Sequence, residues 1–216
     1  MSNLDIAKDY AAKVLTNKIV AGELIKLSCK KFIDELNNPL FYYDSKEVDL
    51  IVKFIQQFNL LEQTKPKKFK LENWQIFIIV NVYGLFKKED DTRKHQQIYF
   101  EIARKNGKSE LVTILAIYHL LFDVNSQIIV SANSREQVKN TDFKKIKQFA
   151  EQIDPNKKEI IHYYNKLIFN TNELIVTASE AGKLDGLNIS TILLDEFHEA
   201  PNNELYNVLK SAQGSR

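Results

Sequence analysis

The stretch Ala103-Arg104-Lys105-Asn106-Gly107-Lys108-Ser109 constrains this chain more than any other. It lies between an apolar, strand-like run, Ile98-Tyr99-Phe100-Glu101-Ile102, and a helix-like run from Leu111 to Phe122. A strand that passes through a Gly-Lys-Ser loop into a helix is a setting in which backbone N–H groups converge on an oxyanion. There Gly107 permits close backbone approach, Lys108 offers a point charge to β/γ-phosphates, and Ser109 places a hydroxyl on a metal ion. The strict phosphate-loop pattern has another glycine five residues before Gly107, where this chain has Ile102. A basic helix N-terminus is therefore the competing reading. Lysine at the positive end of a helix dipole is unfavourable without an anion, which favours a phosphate site.

A second strand-like run, Thr191-Ile192-Leu193-Leu194, ends in Asp195-Glu196. Both carboxylates are expected at the carboxyl edge of a sheet, beside the loop. The aspartate suits Mg²⁺ and the glutamate suits proton abstraction from an attacking water. The alternative is an acidic helix start capped by Asp195. His198 follows as either a surface helix residue or a γ-phosphate sensor.

Composition excludes several classes. The 216 residues are 44% hydrophobic with six glycines and four prolines, which suits a packed globular protein. A net charge of +2 neither demands nor excludes nucleic acid. No apolar run is long enough for a membrane span, and the start Met1-Ser2-Asn3-Leu4-Asp5 does not resemble a signal peptide. The single cysteine, Cys29, cannot form an intramolecular disulfide and reads as a small buried side chain in a reducing, intracellular setting.

Residues 4–62 read as helices, one stopped by Asn37-Asn38-Pro39 and another capped at Ser45. The basic linker Lys65-Pro66-Lys67-Lys68-Phe69-Lys70 is a solvated run or a phosphate-contacting patch. Trp74 through Phe86 predicts an apolar helix, followed by a polar turn, Glu89 to Arg93, and a first core strand over Ile98–Ile102. Gln127–Ser131, paired strands around Asn165, Glu173–Ala178 and Ile192–Leu194 predict further strands, with a helix from Arg135 to Gln152 closed by Asp154-Pro155. The alternation predicts an α/β fold: a mostly parallel sheet flanked by helices on both faces. A helical leader over residues 1–70 precedes a core over 71–216.

Further segments complete an ordered set: Leu71-Glu72-Asn73-Trp74-Gln75, Ser131-Ala132-Asn133-Ser134-Arg135-Glu136-Gln137, Leu184-Asp185-Gly186-Leu187-Asn188 and Leu193-Leu194-Asp195-Glu196-Phe197-His198-Glu199-Ala200. With the Arg-Lys-Asn-Gly-Lys-Ser loop, this set resembles the ATPase domain of tailed-phage large terminase subunits, over essentially the whole chain. The resemblance implies a P-loop NTPase core of the RecA/ASCE type, using ATP and Mg²⁺ to drive double-stranded DNA into a capsid. In that family an arginine-bearing variant replaces the first-glycine region, which accommodates Ile102 and gives Arg104 a catalytic role on the γ-phosphate. Position by position it implies adenine recognition by Trp74 and Gln75, and phosphate binding by Arg104, Lys105, Asn106, Gly107, Lys108 and Ser109. It further implies Mg²⁺ held by Ser109 and Asp195, Glu196 as the catalytic base, and coupling through Ser211 and Gly214. A helix-face glutamine beside a core tryptophan, and a plain helix C-cap at Gly214, are the structural alternatives.

The implied partners are DNA, a portal protein, a small terminase subunit and other copies in a ring, with no membrane, in the host cell cytoplasm. Arg135, Lys183 and Arg216 are the candidates to complete a neighbouring copy's site. The nuclease domain that follows in the family is not expected within these residues. A helicase-like P-loop ATPase and a nucleotide-gated binding module with little turnover are the other functional readings.

Overall fold

Short loops decide how the sheet of this protein is built. The computed structural model describes residues 1–61, 65–103, 105–132, 143–178, 189–197 and 202–213. By Cα proximity the chain divides into two units, Met1–Gln57 with Lys68–Glu101, and Phe58–Lys67 with Ile102–Arg216.

The first unit contains α1 (Asn3–Leu15), α2 (Glu23–Leu36), β1 (Phe41–Tyr43), α3 (Ser45–Gln56), α4 (Asn73–Tyr83) and β2 (Leu85–Lys87). Ser2 caps α1: its Oγ accepts the Asp5 N–H at 3.1 Å and the Asp5 carboxylate accepts the Ser2 N–H at 3.0 Å. Ala7, Ala11 and Val14 form the buried stripe of α1, small enough for close packing on α4 and α2. Phe77 of α4 meets Tyr10 and Phe32, each with ring centroids 5.2 Å apart. Cys29 is fully buried, and burial pushes its thiol pKa up to about 11, which agrees with an inert core side chain.

Three boundaries in this unit differ from expectation. Phe41–Tyr43, inside the stretch read as helical, pairs antiparallel with β2, and Tyr42 stacks on Phe86 at 5.5 Å. Three consecutive aromatic residues after Pro39 favour a pleated strand over a helix. The helix expected from Trp74 to Phe86 stops at Tyr83 because the chain turns at Gly84. A Cβ there would lie 2.5 Å from Tyr43 Cε2, 2.7 Å from the Val80 carbonyl and 2.8 Å from Val48 Cγ2. Asp44, not Ser45, caps α3, accepting the Lys46 N–H at 2.8 Å. Nearby, the buried Glu35 carboxylate contacts the Lys94 ammonium and His95 Nε2, the latter at 3.1 Å. Burial lowers the His95 pKa against the opposing pull of Glu35.

The second unit contains α5 (Lys108–Phe122), β3 (Gln127–Ala132), α6 (Phe143–Ile153), β4 (Ile161–His162), β5 (Lys166–Phe169), β6 (Asn172–Ala178), β7 (Ile189–Leu194) and α7 (Glu204–Ala212). The strands lie in the order β4-β5-β6-β3-β7. β3 is parallel to both β6 and β7, whereas β4 with β5 and β5 with β6 are antiparallel. The sheet is thus mixed where a mostly parallel one was expected. The turns around Asn165 and Asn170 are too short for a crossover, so their strands must fold back antiparallel. Asn170 takes φ 52°, in the left-handed region that asparagine tolerates in tight turns.

Alternation sets the faces. Ile129 packs with Ile189 against Leu205 and Leu209 of α7, joined by the half-buried Ile175 and Ile192. The intervening Ile128, Val130, Leu174 and Val176 are buried too, and α5 lies against β3, β5, β6 and β7. The helix expected from Arg135 is described only from Phe143, residues 133–142 lying outside the described residues. It is closed as expected by Asp154, whose carboxylate accepts the N–H groups of Ile160, Glu159 and Lys158 at 2.7–3.1 Å. Those bonds, that from Ile160 foremost, hold its pKa below the usual value.

The expected core strand Ile98–Ile102 is not a strand. Ile98 and Tyr99 are 52% and 76% exposed, and Phe100 lies against Trp74 with ring centroids 6.1 Å apart. An aromatic contact therefore takes the side chain that the strand reading assigned to the sheet. Among the described residues no helix is long and apolar enough to cross a membrane.

Asn172 ties the far end of α5 to the sheet. It is 3% exposed; its Oδ1 accepts the Ser126 N–H at 2.9 Å, and its Nδ2 donates to the carbonyls of Leu120 and Asp123 at 2.9 and 2.6 Å. Asn172→Ala strands a buried N–H and frees two carbonyls. It should cost about 3 kcal/mol of stability in urea unfolding followed by circular dichroism. A loss below about 0.5 kcal/mol, the size of an ordinary surface change, would contradict this role.

Candidate functional site

Gly107 starts the site. It is the N-cap of α5 with φ 76°, a left-handed conformation that glycine adopts without steric cost. Lys105 also has positive φ, at 66°. The Asn106 amide donates to the Ala103 carbonyl at 2.9 Å and closes the loop on itself. The Leu111 N–H donates to the Gly107 carbonyl at 3.0 Å, so the N–H groups just inside the helix start remain without intrahelical partners. Ser109 sits in this first turn, half-buried.

Across from the loop, β7 delivers Asp195 and Glu196. The Asp195 N–H donates to the Ser131 carbonyl of β3 at 2.9 Å, extending the parallel ladder one residue past Leu194. Ser131 is itself 1% exposed, and its hydroxyl donates to the Thr177 carbonyl of β6 at 2.9 Å. One residue thus spans the three parallel strands at their carboxyl ends, where ligand sites of α/β sheets form. The Asp195 carboxylate accepts the Glu196 N–H at 3.0 Å, and Glu196 takes φ 50°.

The two halves meet at Lys108. Its Nζ is 2.9 Å from Asp195 Oδ1 and 2.8 Å from Glu196 Oε1. The three side chains are 23%, 12% and 29% exposed respectively. Partial burial works against the ammonium, but the hydrogen bonds to Glu196 and Asp195 outweigh it and raise the Lys108 pKa. At the edge of the site Glu110 pairs with Lys145 of α6 at 3.5 Å.

The sequence-derived set is thus partly assembled. Lys105, Asn106, Gly107, Lys108, Ser109, Asp195 and Glu196 all lie in the second unit, and Lys108 contacts both carboxylates. Trp74 and Gln75 are on α4, in the first unit with the helical leader. Gln75 is 4% exposed, and its Oε1 accepts the Glu72 N–H at 2.8 Å, so its amide orients the start of α4. Ser211 lies in the last turn of α7 and donates to the Val208 carbonyl at 2.7 Å. Arg104 and Gly214 lie outside the described residues, as do Arg135, Lys183, His198 and Arg216. Sequence reasoning overlooked Ser131 as a support for Asp195. Its signal was a lone hydroxyl at the polar end of an otherwise apolar strand.

The donor set suits a polyphosphate with a hard divalent cation. Ammonium, hydroxyl and helix-start N–H groups are matched to phosphate oxygens, and Asp195 with Ser109 to an oxygen-seeking metal. Among the described residues no group of three or more His, Cys, Asp or Glu side chains could hold a metal by itself. A cation here would draw further oxygens from phosphate and water, as Mg²⁺ ordinarily does.

A glycine-started helix facing paired carboxylates at the carboxyl ends of parallel strands defines an α/β protein equipped for anionic ligands. Residues 73–215 match the family described as terminase large subunit, ATPase domain, and the chain belongs to that family. Membership implies ATP hydrolysis in the service of DNA packaging. The match starts at Asn73, so residues 1–72, included in the resemblance read from sequence, lie outside it. No curated protein matches the chain.

The Lys108–Asp195 contact should register in a double-mutant cycle of Lys108→Met and Asp195→Asn, with a coupling of about 1 kcal/mol in urea unfolding. A group with a raised folded-state pKa contributes fully below its ordinary value, here 10.5, and the contribution is lost as pH rises through the raised value. Measurement at neutral pH therefore captures the whole coupling. Additive single-mutant losses would contradict the contact.

Proposed function

We propose that this chain is a P-loop NTPase that hydrolyses ATP with Mg²⁺ to drive double-stranded DNA into a viral capsid. The observation that carries the reading is Lys108 at 2.9 and 2.8 Å from Asp195 and Glu196, residues supplied by α5 and by the end of β7. In this proposal Lys105, Asn106, Gly107, Lys108 and Ser109 hold the phosphates, and Ser109 and Asp195 hold the metal. The metal supplies charge neutralisation on the phosphate oxygens. Glu196 accepts the proton of the attacking water. Arg104 balances charge on the γ-phosphate. Trp74 and Gln75 read the adenine, with the Gln75 amide pre-oriented by its bond to Glu72.

Ser211 and Gly214 transmit the state of the γ-phosphate. Support comes from Gln213 beside them, whose Nε2 donates at 3.5 Å to the Ser190 carbonyl on β7, the strand that carries Asp195. The proposed partners are DNA, a portal protein, a small terminase subunit and further copies of the chain in a ring. The setting is the host cell cytoplasm.

Two substitutions test this reading. Lys108→Ala removes a charge-assisted phosphate contact worth roughly 1.5–3 kcal/mol and should weaken Mg·ATP binding about ten- to a hundredfold by calorimetry. Unchanged affinity in a folded variant would rule out the loop assignment. Glu196→Gln keeps the shape of the side chain but not its basicity, so phosphate release should fall to background while Mg·ATP still binds. Parental turnover in that variant would move the base elsewhere.

A further inference from the structure

Lys108 is bound to two carboxylates in this structure, and the proposed function asks it to bind phosphate as well. An ammonium has three N–H donors. Asp195 Oδ1 at 2.9 Å and Glu196 Oε1 at 2.8 Å already engage it. Polyphosphate oxygens reaching the same Nζ would come within a few ångströms of two like-charged groups. The side chains are 23%, 12% and 29% exposed, so solvent and salt screen that repulsion less than on open surface. The full triad and a polyphosphate therefore compete for one cation.

The two carboxylates differ in how firmly they are placed. Asp195 directly continues β7. Its N–H is bound to the Ser131 carbonyl at 2.9 Å, and its carboxylate accepts the Glu196 N–H at 3.0 Å. The sheet dictates its position. Glu196 reaches Lys108 from a backbone at φ 50°, a conformation disfavoured for a residue with a Cβ. The ion pair with Lys108 is one of the contacts that hold the side chain there, beside the bond from its N–H to Asp195, so a ligand that takes Lys108 removes one restraint on Glu196.

We propose that Glu196 is a latch on Lys108, holding the lysine until a polyphosphate competes for it. This rests on the reading of Gly107–Ser109 with Asp195 and Glu196 as the nucleotide site. The latch gives one carboxylate two successive tasks. While paired, its Oε1 engages the Lys108 ammonium. Displaced by phosphate, the same carboxylate is released to face an attacking water. The arrangement also discriminates by charge: a free polyphosphate meets the Glu196 carboxylate unrelieved, whereas a metal-loaded one arrives partly neutralised.

The test measures binding, not turnover. Calorimetry with inorganic tripolyphosphate in EDTA compares the parent with Glu196→Gln, which removes the charge, and Glu196→Gly, which removes the side chain and suits the left-handed backbone. Both variants should bind tripolyphosphate about tenfold more tightly than the parent, the change expected when one like charge is removed from a partly buried site. Affinity for a Mg²⁺-loaded, non-hydrolysable ATP analogue should stay within about threefold, well under one charge interaction. Metal-free affinity that is unchanged or weaker in both variants, with the Mg²⁺-loaded analogue bound by all three proteins, overturns the latch and leaves the nucleotide site standing. Failure of every protein to bind the Mg²⁺-loaded analogue overturns the site and the latch together.

Discussion

A single ammonium group joins the two chemical halves of this molecule. Lys108 opens α5, and its partners Asp195 and Glu196 follow the end of β7, with Glu196 lying 88 positions further along the chain. Neither half has an obvious fate alone. A lysine at a helix N-terminus opposes the helix dipole, and two adjacent, half-buried carboxylates repel each other. Placed together, each relieves the other, and an ammonium and two carboxylates stand side by side at the carboxyl edge of the sheet. The raised pKa of Lys108 is the sign that the gain from pairing exceeds the loss from burial.

That contact depends on supports with no chemistry of their own. β3 lies between β6 and β7, and Ser131 at its carboxyl end bonds to both, through its hydroxyl to Thr177 and through its carbonyl to Asp195. At the other end of α5, Asn172 fastens the helix terminus to the start of β6. α5 is thus held at both ends, by buried amide bonds at its C-terminus and by an ion triad at its N-terminus. Residues between them, such as Ile114, Ile117 and Leu120, are fully buried. Dispersion and hydrophobic burial hold the helix on the sheet; the polar contacts fix its register, and with it the position of Lys108.

What the sequence revealed and what it concealed follow from the range of the interactions. The loop and the carboxylate pair were legible because their chemistry is local: glycine, lysine and serine in a row, two acids after an apolar run. β3, β6 and the hairpin around Asn165 were legible as short apolar runs. The mixed character of the sheet was present in the turn lengths, yet strand and helix alternation suggested a mostly parallel sheet. Ile98–Ile102 misled because an apolar pentapeptide with two aromatic residues satisfies the pattern of a strand. Which neighbour captures Phe100 is a tertiary question, answered by Trp74. Gln75 illustrates the opposite limit. Family resemblance assigns its amide to a ligand, whereas the structure adds a bond to Glu72 that no residue pattern for adenine would disclose. The left-handed Glu196 was invisible too, since nothing in Leu-Leu-Asp-Glu marks a positive φ.

The family match and the structural units divide the chain at different places, and the difference has a physical reading. The match starts at Asn73, the first residue of α4. Helix α4 has hydrophobic side chains on most sides, and Ile76, Phe77, Ile79, Val80 and Tyr83 are all buried. A helix apolar all round needs cover on every side. Tyr10 of α1 and Phe32 of α2 close on Phe77, while α3 lies alongside with Val48, Ile51 and Ile55 buried. The leader outside the matched segment therefore supplies the solvent-free surroundings of a helix inside it. Covering an apolar helix demands volume and hydrophobicity more than particular residues. The start of α5 is more demanding: Gly107 takes φ 76°, a conformation that favours glycine, and Lys108 pairs with both carboxylates through its charge.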